Sequence, residues 1–396
     1  MVRILQVFNR YVHMGGEEKS VDRIYQHLGE EHVVARCFFE SRDWARASAL
    51  AIPGQLIRTF YNHGSRRKFE EMIQTFRPEV ALFHNVFPVG SPSLYHAAAR
   101  RRVPVIHYVH NFRPFSVGGT LYSNGQFLEE ALGGDYRREV QTGAWQGSRL
   151  KSAVMARVLR RLHASGWLEN VRAWVCISEF LRDKLAIGTG VGADRLFALR
   201  HSWDAMKNPP PPDDRGYYLF LGRLVDVKGV EVLLEAWRHL RARLGPATPA
   251  LHIGGEGPLA ERVKVEAARH RDIKYLGLVT GEAKHAAISG CRAMLAPSVW
   301  WEPLGLVTYE AYDYGKPMLA ARSGGLSETV VAGLTGFLHE PGDAAGLADD
   351  VLILESMSLS ERCHMGAEGR VWLLSECSPA RWKASFGEVL AGIVAR

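Results

Sequence analysis

The segment YYLFLGRLVDVKGVEVLLEAWRHLRAR, residues 217–243, reads as a strand, a loop and a helix in direct succession. YYLFLG (217–222) is an apolar run of strand length, and 229–243 repeats its apolar residues at helical spacing. The alternation continues through ALHIGG (250–255), IKYLGL (273–278), RAMLAP (292–297) and PMLAA (317–321), with helical patterns at 258–270 and 304–314. It is also present earlier, in RILQVF (3–8), HVVARCFF (32–39), EVALFHN (79–85), VPVIHYVH (103–110) and AWVCIS (173–178), with amphipathic stretches such as 17–28 and 66–76 between several of them. Strands and helices alternating in this way build a parallel sheet covered on both faces. KNPPPPDDRG (207–216) interrupts the series, because four consecutive prolines continue neither element. The predicted fold class is α/β, with two doubly wound, Rossmann-like domains facing a central cleft. Residues 1–206 form the N-terminal domain, 207–216 a stiff linker and 217–396 the C-terminal domain; the final helix, about 379–396, is a candidate to pack back on the first domain.

A length of 396 residues exceeds one ordinary core, and 47% hydrophobic with 23% charged residues is the balance of a soluble globular protein. No apolar run reaches the roughly 20 residues of a bilayer span, and MVRILQVFNRY reads as a strand rather than a signal peptide. Five scattered cysteines (37, 176, 291, 363 and 377) without a CxxC pair fit reduced thiols in a cytoplasm and argue against a disulfide frame or structural zinc. The net charge of +7 is uneven: residues 1–200 hold 28 Lys+Arg against 18 Asp+Glu, residues 201–396 hold 21 against 24. A basic first half points to an anionic partner. Nucleic acid is the least fitting one, since the basic residues are not interleaved with aromatics in an RNA-binding pattern.

In WWEPLGLVTYEAYDYGKP (300–317) two carboxylates, Glu302 and Glu310, stand eight positions apart. Pro303 suits a first helical position, which puts Glu302 at or just before the N-cap and ends the helix near Tyr314, at Gly315. The first-turn amides at Leu304, Gly305, Leu306 and Val307 then form an anion site. Along a helix the two carboxylates would lie roughly 12 Å apart, about the span from the hexose to the ribose of a nucleoside diphosphate sugar. An isolated E-x7-E pair is more often two solvated glutamates; the flanking motifs shift that balance. FLGRLVDVKG (220–229) puts Arg223 and Lys228 in the loop after a strand, two cations suited to a diphosphate. HMGGEEKSVDRIYQHL (13–28) follows the first strand, where Gly15 and Gly16 permit a close approach to the start of the next helix. In GGEGP (254–258), Gly255 could let a flat base approach the backbone, and RSGGLSETV (322–330) is a third glycine turn. His110, in HYVHNFRP, lies at a strand's C-terminal end, where a cleft role and a structural role weigh about equally.

These motifs together resemble the GT-B glycosyltransferases of retaining family 4, the glycosyltransferase group 1 proteins. The C-terminal likeness covers about 216–345, where G-R-x-x-x-x-K-G, GGEGP, E-x7-E and S-G-G-x-x-E occur in order; the N-terminal likeness rests on GGEE and VHNFRP. The resemblance implies that Arg223 and Lys228 bind the donor diphosphate, Glu302 the donor sugar and Glu310 the ribose. It also implies that Gly15 and Gly16 approach the phosphates and that His110 lies by the transferred sugar. Two departures stand out: EPLG has Leu304 where the family often has an aromatic, and LRHSWDAM (199–206) replaces the usual Pro-Asn-Gly-Val-Asp.

The activity implied is metal-independent transfer of a hexose-type sugar, with retention, from a nucleotide sugar to a saccharide or lipid-linked acceptor in cell-surface glycan or related glycoside biosynthesis. No D-x-D pair stands at a strand end, so no metal and no cofactor is expected, and the cations carry the leaving charge. Alternatives are a nucleotide-sugar epimerase or phosphorylase on the same scaffold, or a non-catalytic nucleotide-sugar or membrane-binding module. Basic clusters at SRRK (65–68), ARRR (99–102) and SRLKSAVMARVLRRLH (148–163) accompany a stripe of Leu150, Val154, Val158 and Leu162 in the last. A cytoplasmic protein resting loosely on the anionic inner membrane face is expected from that pattern.

Overall fold

The computed structural model describes residues 1–10, 15–45, 52–211 and 213–395. His13 and Met14 of the first glycine motif, Pro212 of the proline run and Arg396 lie outside them. The chain divides into two compact units, Met1–Ser202 with Pro379–Arg396, and Trp203–Ser378.

The first unit holds β1 (Arg3–Arg10), β2 (Val33–Glu40), β3 (Val80–Phe83), β4 (Val105–Val109), a small hairpin of β5 (Tyr122–Ser123) and β6 (Gln126–Phe127), β7 (Val171–Cys176) and β8 (Leu196–Ala198). Its main sheet is parallel throughout, in the order β2-β1-β3-β4-β7-β8. Every residue of β3 and β4 is buried, which is why VALF and VIHYV read as unbroken rather than alternating apolar runs. The last helix, Pro379–Val394, belongs to this unit. There the Trp382 indole donates to the Tyr108 hydroxyl at 3.0 Å and Lys383 pairs with Glu30 at 2.8 Å.

The second unit holds β9 (Tyr217–Leu221), β10 (Ala250–Gly254), β11 (Ile273–Gly277), β12 (Ala293–Ala296), β13 (Met318–Ala321) and β14 (Gly336–His339). These are also all parallel, in the order β11-β10-β9-β12-β13-β14. Its core joins Tyr218, Phe220, Ile253 and Leu295 of the strands to Trp237 and Leu240 of the helix Val230–Leu244 and to Val351. Trp203, Met206 and Asp214, on either side of the proline run, are held by this unit. Trp203 Nε1 and Met206 N both donate to the buried Asp313 carboxylate at 2.9 Å, and Asp214 is held by Arg292 and Arg362 at 3.0 Å each.

In both sheets the strand order reverses once, between β1 and β3 and between β9 and β12. Doubly wound sheets open a crevice beyond the carboxyl ends of the strands at such a reversal. In the second unit β9 ends at Leu221 and β12 at Ala296, so the loops carrying Arg223, Lys228 and Glu302 start there.

The expected membrane stripe does not face outward as a whole. The helix Arg149–Ala164 buries Met155, Val158, Leu159 and Leu162, and of the predicted stripe Leu150 is the strongly exposed member, at 68%. The apolar side serves the core, as in any surface helix of a globular unit. Among the described residues no helix is long and apolar enough to cross a membrane.

Candidate functional site

Glu302 is the buried centre of the second unit's site, 6% exposed. Its Oε1 accepts from the Ser298 hydroxyl at 2.7 Å and the Trp300 indole at 3.0 Å, and Lys228 closes on the same oxygen as an ion pair. Residues 298, 300 and 302 alternate along the chain, so an extended segment can aim all three to one side. The Lys228 ammonium also lies 5.6 Å from the Trp300 ring centre. Burial pushes the Glu302 carboxyl up, but the Lys228 charge and the three hydrogen bonds outweigh it and hold the group below the ordinary carboxylate range. The carboxylate is therefore ionised and paired. Arg223 is exposed in the loop after β9 and makes no side-chain hydrogen bond or ion pair among the described residues.

Glycines lock these loops together. Gly229 is left-handed at φ +73°, and a Cβ there would stand 1.8 Å from the Pro297 carbonyl oxygen. Val299 N donates to Val227 O at 3.0 Å beside it. Gly324 is left-handed at φ +57°, its Cβ position 2.3 Å from the Glu302 carbonyl oxygen, and Gly325 N donates to that oxygen at 2.7 Å. The S-G-G turn thus grips the main chain of Glu302. Gly255, at φ +145°, would place a Cβ 1.8 Å from the Gly222 carbonyl oxygen. The chain's own loop after β9 therefore requires glycine at this position.

The helix expected from Pro303 begins later, at Leu306, and runs to Asp313 with Gly305 as its N-cap at φ +89°. A left-handed residue cannot continue a right-handed helix, and the grip of Gly324 and Gly325 keeps 302–304 out of it. Leu304, 2% exposed, and Gly305 therefore precede the helix, and Leu306 and Val307 form its first turn. The 12 Å estimate loses its basis for the same reason, because helical rise applies only from Leu306 to Glu310, roughly 6 Å. Glu310 pairs with Lys284 at 2.6 Å, a partner on the helix Gly281–Ser289 that the sequence reading had not singled out.

In the first unit Gly15 caps the helix Gly16–Gly29 at an ordinary extended φ of −129°, and a Cβ there would meet nothing within 4 Å. Among the described residues nothing crowds Gly15, but Glu17 and Glu18 already occupy the first turn and complement its dipole. His110 lies within a row of buried rings. Arg36 Nε donates to Gln6 Oε1 at 3.2 Å, which turns Gln6 Nε2 toward Val21 O at 2.9 Å and His84 Nε2 at 3.1 Å. Hydrogen-bond logic then places the His84 proton on Nδ1, donated to His110 Nε2 at 2.8 Å, and the His110 proton on Nδ1, facing His201 Nε2 at 3.3 Å. Burial, with the neighbouring histidines, holds His84 and His110 far below the ordinary imidazole value, and His201 falls to about 3. His110 is thus neutral with both ring nitrogens engaged inside its unit. Its two ring nitrogens face His84 and His201, which is the structural role weighed for it in the sequence.

Ser298, Trp300, Lys284, His84 and His201 escaped the sequence reading. The alternation of 298, 300 and 302 was a usable signal for the first two; Lys284 and the histidines meet their partners through the fold alone.

Two six-stranded parallel units, with charged loops at the reversal of the second sheet, define the GT-B class of glycosyltransferase fold. The model for glycosyl transferases group 1 matches residues 202–372 and that for glycosyltransferase family 4 matches residues 14–200, and the chain belongs to this family. It is 30% identical over 239 residues to a glycogen synthase of Mycobacterium tuberculosis, a match spanning 58% of this chain and 57% of that one. It is also 30% identical over 243 residues to a GDP-mannose-dependent alpha-(1-6)-phosphatidylinositol monomannoside mannosyltransferase of Mycolicibacterium smegmatis, spanning 54% and 61%. The matched region thus covers little more than half the length of these relatives. Among solved structures, Anabaena HepE in complex with UDP superposes with a TM-score of 0.69 at 16% identity, covering 98% of this chain and 100% of that one. Sucrose-phosphate synthase from Thermosynechococcus elongatus gives 0.68 at 16% identity, with 99% of each covered.

Proposed function

We propose that the chain transfers a hexose-type sugar, with retention and without a metal, from a nucleoside diphosphate sugar to a saccharide or lipid-linked acceptor. The observation that carries this reading is the buried Lys228–Glu302 pair at the β9/β12 reversal, with Arg223 exposed beside it. A diphosphate entering there meets a preformed ammonium and an uncommitted guanidinium fork, the donors a leaving diphosphate needs as negative charge develops. The carboxylate of Glu302 is an acceptor for sugar hydroxyls and Glu310 for ribose hydroxyls. The first turn at Leu306 and Val307 turns amides toward anionic charge, and Gly15 and Gly16 leave backbone open to phosphate in their own unit. UDP-sugars and GDP-mannose, suggested by the nucleotides named with the relatives, are the first donors to try. The acceptor's proton passes to the leaving phosphate oxygen as the new glycosidic bond forms on the face from which the diphosphate departs.

The test is a donor panel with oligosaccharide and lipid-linked acceptors, the product read by proton NMR, with and without EDTA. Retained anomeric configuration and undiminished turnover in EDTA are expected. An inverted product, or activity lost in EDTA and restored by magnesium or manganese, would refute the mechanism. Epimerised free donor without transfer would replace the activity itself.

A further inference from the structure

At the amino-terminal ends of β4 and β7, away from the strand ends just described, the first unit has a cavity of about 620 Å³ lined by Ala99, Arg102, Pro104, Asn170, Arg172 and Ile393. Two arginines, both exposed, are among its lining residues, and no aspartate or glutamate is. Neither Arg102 nor Arg172 makes a side-chain hydrogen bond or ion pair among the described residues, whereas the neighbouring Arg101 reaches Glu70 at 3.9 Å. Glu169, one position before Asn170, is not among the lining residues.

The backbone holds both arginines in unusual settings. Arg102 is left-handed at φ +55°, in the tight turn where its amide donates to Ala99 O at 3.1 Å and that of Val103 to Ala98 O at 3.0 Å. A non-glycine residue is strained in that region. Arg172 is the extra residue of a β-bulge: Val105 faces Val171, but the next residue, Ile106, faces Ala173. Bulges re-aim side chains. Asn170 Nδ2 donates to Val103 O at 2.7 Å and ties the two rims together.

Two exposed arginines without an acidic partner among the described residues give this cavity a positive lining that favours an anion. Guanidinium forks match the oxygens of phosphate. The volume is that of a small-molecule site, and Ala99, Pro104 and Ile393 give the same lining an apolar side. We propose that this cavity binds a phosphate ester, its phosphate between Arg102 and Arg172 and its organic part on the apolar side. The ARRR cluster (99–102) thereby acquires a specific use. The ester is either a soluble metabolite or the headgroup of a phospholipid.

Two probes separate these sources: glycerol 3-phosphate by isothermal titration, and phosphatidylcholine vesicles with and without phosphatidic acid by co-sedimentation. Each is applied to the wild type and to Arg102→Gly/Arg172→Gln, glycine being suited to the left-handed position. Loss of at least about tenfold in affinity for a probe, the scale of a charged hydrogen bond, supports the site. Glycerol 3-phosphate alone identifies a soluble ester, and phosphatidic acid alone a headgroup. Binding unchanged in the double variant, no binding of either probe, or affinity lost instead in Lys228→Ala would overturn it. If the double variant does not fold, protection of Arg102 and Arg172 from phenylglyoxal by either probe, read by peptide mass spectrometry in the wild type, decides; equal labelling with and without both probes overturns the site.

Discussion

Arg223 and Lys228 look alike in the sequence, two cations five positions apart in one loop, but the structure separates their consequences. Lys228 balances a carboxylate that is 6% exposed, while Arg223 is exposed and unpaired. Lys228→Ala leaves Glu302 buried without its counter-ion. Breaking a buried pair costs about 3–5 kcal/mol, and the lower end applies because Lys228 keeps a quarter of its side-chain exposure. The expected outcome is a clear fall in melting temperature for Lys228→Ala and none for Arg223→Ala, with turnover reduced by about two orders of magnitude or more in both. Lys228→Met/Glu302→Gln should recover the stability and not the activity. Equal melting temperatures for Lys228→Ala and the wild type would show that the pair does not carry the loop.

At the scale of elements, the glycine turns hold the site's strands and loops in place. Gly324 and Gly333 are both left-handed, but a Cβ at Gly324 would press on the Glu302 main chain, whereas at Gly333 it would meet nothing within 4 Å. Gly333→Ala should therefore cost about 1–2 kcal/mol, the conformational term alone. Gly324→Ala adds a clash that can be relieved only by shifting Glu302, so it should cost about 3 kcal/mol or more, at the upper end of strained-backbone effects, and weaken nucleotide binding. Chemical denaturation and calorimetry on the two variants check this; equal costs would mean that the turn yields freely. The same turns mark where sequence reasoning stops. The parallel strands were legible because VALF, VIHYV and YYLFL carry buried, unbroken apolar runs. Arg223, Lys228 and Glu302 were legible because glycine and charge cluster after strands. The start of the helix was not, since Pro303 is a good first residue by local preference and the contact that forbids it comes from Gly324, more than twenty residues on. The ring row around His110 was not legible for a related reason: its partners, His84 and His201, approach from other strand ends and are not near it in sequence.

For the whole molecule, the histidines make the two units unequal toward acid. His84, His107, His110 and His201 are all buried in the first unit and depressed by that burial, His107 and His201 to about 3. In the unfolded chain each would titrate near 6.5. The unfolded state therefore binds more protons below that pH, and the stability present above pH 6.5 is lost as the pH falls toward about 3. Each such histidine contributes a slope of up to ~1.4 kcal/mol per pH unit. The two near 3 alone remove roughly 5 kcal/mol between pH 6.5 and 4.5, comparable with the total stability of many domains. In the second unit the buried His339 instead lies against a carboxylate, Asp350, at 3.0 Å. The unit Met1–Ser202 with Pro379–Arg396 should open first on acidification, with amide-exchange protection in β3, β4 and β7 falling below pH 6.5 while that of β9, β10 and β12 persists. His107→Gln, whose amide oxygen can still accept from the Tyr95 hydroxyl that now lies 3.0 Å from the ring, should flatten the decline by up to one histidine's slope. Loss of protection in both units at the same pH, or a decline as steep in His107→Gln as in the wild type, would rule out the buried imidazoles as its cause.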